Sequence, residues 1–179
     1  RAPARNLDLT EAMNLQQQGR EMSLFLLMLS MLVFVNVRQS VQVLKAKANR
    51  ELLKSPMMLI PIGILLTTGI VVGVIALVTV KPLFIFFSLL SIFVSLGTIK
   101  YIYKKELKPR EWIIEHMANI FGAGVASYTA FFAFGGRRFF SEIFGSGMQI
   151  IPWVLPSIIG VTATFYLARK YRKQYKINE

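Results

Sequence analysis

Three side chains in one stretch of the sequence have the chemistry to hold a cofactor or to move a proton: Glu115, His116 and Tyr128. His116 is the only histidine, and an imidazole can serve as one axial ligand of a haem. A haem would therefore need its second strong ligand from a methionine, another copy of the chain or a partner protein. The alternative is a histidine that hydrogen-bonds a neighbouring helix or faces a polar boundary.

Glu115 lies one helical turn beyond Trp112, in an otherwise apolar stretch. A carboxylate in such a stretch is a functional candidate for proton transfer, because burying its charge is costly. Ion pairing with Lys108, Arg110 or Arg38 would remove that cost. We favour this structural interpretation of Glu115 over a role in proton transfer.

Tyr128 lies deeper in the same stretch, between Ser127 and Thr129, and Asn119 is a further polar residue there. A buried hydroxyl needs a hydrogen-bond partner in a low-dielectric setting. The three neighbouring hydroxyls could therefore line a ligand or quinone pocket. A buried hydrogen bond between helices is the commoner use of such a tyrosine.

Apolar stretches long enough to cross a bilayer carry these residues. A hydrocarbon core of about 30 Å needs about 20 helical residues, and 54% of the chain is hydrophobic against 17% charged. A soluble domain of this length could not bury so much apolar surface. The sequence predicts an all-α membrane bundle of five transmembrane helices, with a polar segment 1–21 before them and a basic tail 169–179 after them. The five predicted spans are 22–44, 58–80, 83–103, 112–134 and 150–168. The connector between the last two spans is predicted to be a loop or a short interfacial helix.

Basic residues are sorted along the chain. Of the 21 Lys and Arg residues, 14 fall in segments 45–54, 100–110 and 169–176, which five spans would place on one side of the membrane, against six on the other side. Cytoplasmic loops carry such an excess, so we expect an outward N-terminus, a cytoplasmic C-terminus and a multi-pass protein of the cell membrane, most simply a bacterial inner membrane. The net charge of +12 then indicates contact with anionic lipid headgroups and no nucleic-acid binding.

Small and hydroxyl residues recur at helical spacings that favour packing between helices. Gly69 and Gly73 form a GxxxG motif in the second span, and such motifs let two helix backbones approach closely in lipid. Serines follow one face of the third span, where they are expected to hydrogen-bond across to a neighbouring helix or to line a polar conduit: Ser88, Ser91 and Ser95. Four small residues form a row along the fourth span: Ala118, Gly122, Ala126 and Ala130.

Signatures of soluble enzymes are missing from the sequence. The chain has no cysteine, which excludes disulfides, thiol chemistry and Cys-ligated metals. No phosphate-binding glycine loop, GxSxG or HExxH motif is present. We therefore predict no catalytic residue and no metal site.

The last third of the chain resembles a family of uncharacterised bacterial multi-helix membrane proteins. The resemblance rests on Trp112, His116 with Met117, the run 122–131, the run 153–156 and the basic tail. It implies a compact helical membrane bundle in which His116 faces the interior, and it implies no activity.

Two functional hypotheses follow from these patterns. The first is a non-catalytic subunit or assembly partner of a membrane complex, which associates with copies of itself or with other membrane subunits. The second is a haem- or quinone-linked electron-transfer module or a small transporter, built on His116, Glu115, Tyr128 and the serine face. We place the first ahead because buried charge is sparse and catalytic constellations are missing.

Overall fold

The computed structural model describes residues 9–47, 49–131 and 151–175. The regular structure in these ranges is entirely helical, as the sequence predicts, and a short 3-10 helix, Arg50–Lys54, follows the first α-helix. The α-helices are α1 Leu9–Ala46, α2 Pro56–Val78, α3 Pro82–Ile102, α4 Glu111–Ala130 and α5 Ile151–Gln174. Residues 1–8 and 176–179, the predicted connector before α5 and the predicted end of the fourth span lie outside the described residues.

Three of these helices, α1, α2 and α3, are long and apolar enough to cross a membrane. Proline opens both α2 and α3 at the first helical position, where its missing N–H removes no intrahelical hydrogen bond. The turn between them takes only residues 79–81, and Val80 there has a φ of 49°. This conformation is strained for a β-branched residue, so the tight turn is held by the helices on either side.

Helix α1 is the centre of the bundle. It packs against α2, α3 and α4, while α2 pairs with α3 and α4 pairs with α5. The Phe25 ring stacks on the Phe84 ring of α3 at a centroid distance of 4.1 Å. The core around this pair is drawn from α1, α2 and α3, and includes Met28, Leu32, Val43, Leu65, Val72 and Phe87.

The first part of α1 extends beyond the bundle. Residues 9–20 are all exposed, and Glu21 is the first buried residue of the helix. At about 1.5 Å per residue this arm is about 18 Å long. The polar segment expected before the first span is therefore, from residue 9 onward, part of the same helix.

Contacts between charged and aromatic side chains bring the three basic segments to one end of the bundle. Lys54 Nζ lies 5.9 Å from the Tyr103 ring, and the Arg110 guanidinium lies 5.0 Å from the Tyr175 ring. We call this the basic end. At the opposite end Lys81, in the α2–α3 turn, forms an ion pair with Glu21 of α1.

Candidate functional site

Polar side chains meet where α1 packs against α4, and we call this contact the polar seam: Asn36, Gln39 and Ser40 of α1 with Glu115, His116 and Asn119 of α4. Spacings of three and four residues place each set on one face of its helix. Gln39 and Ser40 are fully buried, and Asn36 and Asn119 are 5% and 6% exposed. Polar groups buried this deeply require partners, so the pairing within the seam decides what it can do.

His116 is hydrogen-bonded to the neighbouring helix. Its Nδ1 lies 2.8 Å from Ser40 Oγ and 3.1 Å from the Ser40 carbonyl oxygen. Nδ1 either donates to this carbonyl or accepts from the Ser40 hydroxyl, and in both cases Nδ1 is engaged with α1. Only Nε2 then remains to ligate a metal or haem. Among the described residues, no group of three or more histidine or acidic side chains could hold a metal ion.

Glu115 is held by amides rather than by cations. Its Oε1 accepts from Asn119 Nδ2 at 3.0 Å and from Gln39 Nε2 at 3.4 Å. Within the described residues no Lys or Arg forms an ion pair with it. The favoured pairing with Lys108, Arg110 or Arg38 is therefore not the one that the structure shows.

The cations expected beside Glu115 have other contacts. The Arg38 guanidinium lies 6.0 Å from the Phe34 ring, one turn away along α1. Lys104 and Lys108 interact with Glu111 and not with Glu115, because the carboxylate of Glu111 accepts hydrogen bonds from the Lys104 side chain and from the Lys108 backbone N–H. Partial burial acts to raise the pKa of Glu111, but these two hydrogen bonds outweigh it, so the pKa of this carboxyl lies below its usual value.

The amide oxygen of Gln39 is a fully buried acceptor of the seam. Gln39 Oε1 is buried and accepts no hydrogen bond, although the Nε2 of the same amide donates to Glu115. An unpaired buried carbonyl costs about 1–3 kcal/mol. The seam thus holds a carboxylate without a cation and an amide oxygen without a donor.

Tyr128 lies on the outer face of α4 and is 61% exposed. Its neighbour Thr129 is 1% exposed, and Thr129 Oγ1 is buried without a hydrogen-bond partner. Adjacent helical residues differ by about 100° in direction, so these two side chains cannot line one pocket. The structure therefore does not bring Tyr128 together with His116.

The GxxxG motif of α2 packs against the serine face of α3. A Cβ on Gly69 would lie 3.3 Å from Ser91 Cβ, and one on Gly73 would lie 3.1 Å from Ser88 Oγ. The serine hydroxyls do not cross to α2 as expected, because each donates to a carbonyl of its own helix at 2.8 Å: Ser88 to Ile85, Ser91 to Phe87 and Ser95 to Ser91. The serine face is therefore a close packing surface.

In the small-residue row of α4, Gly122 faces α1, and a Cβ there would lie 3.2 Å from Asn36 Oδ1. Ala126 packs against the core, whereas Ala118 is exposed and Ala130 is half-buried. Helices α4 and α5 approach closely at Gly160, where an added Cβ would overlap Val125 Cγ2. Sequence reasoning missed Gly160 because it stands alone in its stretch, without a second glycine four residues away.

A cleft of about 250 Å³ lies beside the polar seam, between α3 and α5. Its lining is almost wholly apolar, with Asn36 of α1 and Gly122 of α4 among the residues inside. The other lining residues are Leu32, Phe86, Phe87, Leu90, Val94, Ala118, Val125, Ala126, Ser157, Gly160, Val161, Thr164 and Phe165.

No protein family model, curated protein or solved structure matches the chain. Over residues 9–47, 49–131 and 151–175, the fold and the site define its class as a helical bundle with three helices able to cross a membrane and a polar seam inside. The resemblance of the last third to a bacterial membrane family stays a prediction.

Proposed function

We propose that the chain is a five-span protein of the cell membrane, with the N-terminus outside and the C-terminus in the cytoplasm, that serves as a non-catalytic subunit or assembly partner of a membrane complex. Helices α1, α2 and α3 have the length and composition to cross. Helix α4 packs along α1, and the Arg110–Tyr175 contact brings the start of α4 and the end of α5 together at the basic end. This arrangement supports α4 and α5 as two further crossings.

Cysteine labelling tests this topology cleanly, because the natural chain has no cysteine. Gln16→Cys on the arm is expected to react with a membrane-impermeant maleimide in intact cells. Glu106→Cys and Lys173→Cys, both exposed at the basic end, are expected to react only after permeabilisation. Ser146→Cys, in the sequence between α4 and α5, is expected to react from outside, because two further crossings would return the chain to that side. Protection of Ser146→Cys in intact cells would contradict the fourth and fifth crossings, and reversed labelling of all four positions would contradict the orientation.

The arm of α1 is the observation that carries the subunit proposal. Leu9 and Met13 lie on one face of this arm, at 80% and 68% exposed. Leu15, which is 55% exposed, lies on another side of the arm, so Leu9 and Met13 form a small apolar patch of their own. Packing a second chain against this patch removes apolar surface from water, which is favourable.

Photocrosslinking tests the arm as a contact between subunits. We expect Met13→Cys, carrying a thiol-linked photocrosslinker in native membranes, to yield one discrete adduct with a second membrane chain or another copy. Asn14→Cys, about 100° further round the helix, is the matched control and should yield much less. Equal adducts from both positions, or none from either, would contradict the proposal.

A second candidate function rests on the polar seam. Glu115 without a cation, beside the unpaired Gln39 Oε1, favours an electron-transfer module or a small transporter that moves protons. With Nδ1 of His116 bonded to Ser40, a haem could use only Nε2 and would need its second ligand elsewhere. Proton or solute flux that depends on Glu115 would place this candidate ahead of the first.

A further inference from the structure

The cleft between α3 and α5 contains a hydrogen-bond acceptor that the protein leaves unused. Asn36 is 5% exposed, and its Nδ2 donates to the Leu32 carbonyl at 2.8 Å. Its Oδ1 accepts no hydrogen bond from the described residues, and Asn36 is one of the residues that line the cleft. Turning the amide over would bring two oxygens together at Leu32, so the Leu32 carbonyl keeps Oδ1 on the side of Gly122, which also lines the cleft.

Gly122 keeps this acceptor accessible. A Cβ at position 122 would lie 3.2 Å from Asn36 Oδ1 and would cover it. The glycine thus leaves room for a donor to reach Oδ1 from the cleft. The acceptor and the space in front of it come from two different helices, α1 and α4.

The size of the cleft suits a small ring. At about 30 Å³ for each water-sized atom group, its volume of about 250 Å³ has room for at least about eight non-hydrogen atoms. A six-membered ring with one hydroxyl has seven such atoms and fits.

The position of the cleft restricts the occupant further. Asn36 is fifteen residues from Glu21 and ten from Ala46, so it lies about 22 Å and about 15 Å from the two ends of the packed part of α1. Charged lipid headgroups do not reach this depth. Two aromatic residues that line the cleft, Phe86 and Phe165, are 55% and 67% exposed. The cleft is therefore open at the outer surface of the bundle, and an alkyl tail can leave it there.

The geometry points to a binding site for a lipid-soluble ring alcohol, with its ring in the α3–α5 cleft, its hydroxyl donating to Asn36 Oδ1 and its apolar tail in the bilayer. A hydroquinone or phenol has this chemistry, and so has an aliphatic ring alcohol. A quinone does not, because its carbonyls can only accept. This site rests on the proposed crossing of the membrane by α3 and α5, and it is independent of the arm of α1 and of the role as a subunit.

Calorimetric titration of the full chain in detergent micelles tests the site with 4-decylphenol and its methyl ether, 4-decylanisole. Both probes partition into the micelles through the same decyl chain and ring. They differ in that the phenol has a hydroxyl group that can donate a hydrogen bond, whereas the ether has none. The phenol is expected to bind about 3- to 10-fold more tightly, the range of one net hydrogen bond. 4-Decylcyclohexanol in a third titration distinguishes an aromatic from an aliphatic ring, and tighter binding of either alcohol than of the ether supports the site.

Two variants locate the effect, and both should abolish the preference for the phenol: Asn36→Leu removes the acceptor and Gly122→Ala covers it. If Asn36→Leu does not fold, Gly122→Ala alone carries the test. Ser30→Ala, which removes an exposed hydroxyl of α1, should leave the preference unchanged. Equal binding of phenol and ether to the natural chain, binding of neither probe, or a preference that survives Gly122→Ala would overturn the proposal.

Discussion

Replacement of Gln39 by glutamate is expected to destabilise the bundle by about 4 kcal/mol at pH 8. The substitution puts a second carboxylate beside Glu115, whose Oε1 now accepts from Gln39 Nε2 at 3.4 Å. Two like charges about 4 Å apart repel by about 4 kcal/mol at an effective dielectric constant of 20. Within the described residues no cation is paired with Glu115 to offset this repulsion.

The same variant should recover as the pH falls. The repulsion requires both carboxylates to be ionised, so it is complete at high pH and disappears once the pair shares a proton. The measurement is the unfolding midpoint in detergent at pH 5 and pH 8, relative to the natural chain at each pH. Gln18→Glu, on the exposed arm, is the matched control; an offset for Gln39→Glu that is equal at both pH values would contradict the geometry of the seam.

Gly160→Ala is expected to loosen the contact between α4 and α5. The added methyl group would overlap Val125 Cγ2, and overpacking of this kind costs about 1–3 kcal/mol. Val125→Ala removes the colliding atoms, so the double variant should be more stable than Gly160→Ala alone. Thermal unfolding followed by size-exclusion chromatography in detergent measures both effects.

Gly124→Ala is the control for this experiment, because a Cβ at Gly124 would meet no atom within 4 Å. It is expected to unfold at or slightly above the midpoint of the natural chain, since alanine favours helix over glycine by about 1 kcal/mol. Equal midpoints for the Gly124 and Gly160 variants would show that α4 and α5 do not pack at Gly160. The α5 wall of the ring-alcohol cleft would then also be in question.

The same α1–α4 contact links the seam and the cleft. Asn36 and Gln39 are separated by one helical turn of α1, and they reach the cleft and Glu115 respectively. Loss of phenol binding in Asn36→Leu without a pH-dependent loss of stability would separate the ligand site from the buried carboxylate. Binding and proton chemistry can therefore be tested one at a time in this protein.

The positions of the helices were predictable from the sequence. The predicted spans 58–80 and 83–103 differ by only one or two residues from α2, Pro56–Val78, and α3, Pro82–Ile102. A long apolar run ended by proline or by charged residues is a local property, so composition alone locates it. The grouping of basic segments at one end and the close approach at Gly69 follow from patterns of the same local kind.

The directions of the side chains were decided only by the tertiary structure. Tyr128 lies on the outer face of α4, and Glu115 is hydrogen-bonded to Gln39 instead of being paired with a cation. Asn36 lines a cleft, and the sequence analysis predicted neither the cleft nor a role for Asn36. Spacing places polar residues on one face of α1 and on one face of α4, but it does not show which other helix that face meets. That rotation is set by the packing partners, such as Gly160 against Val125, and these contacts join residues that are distant in the chain.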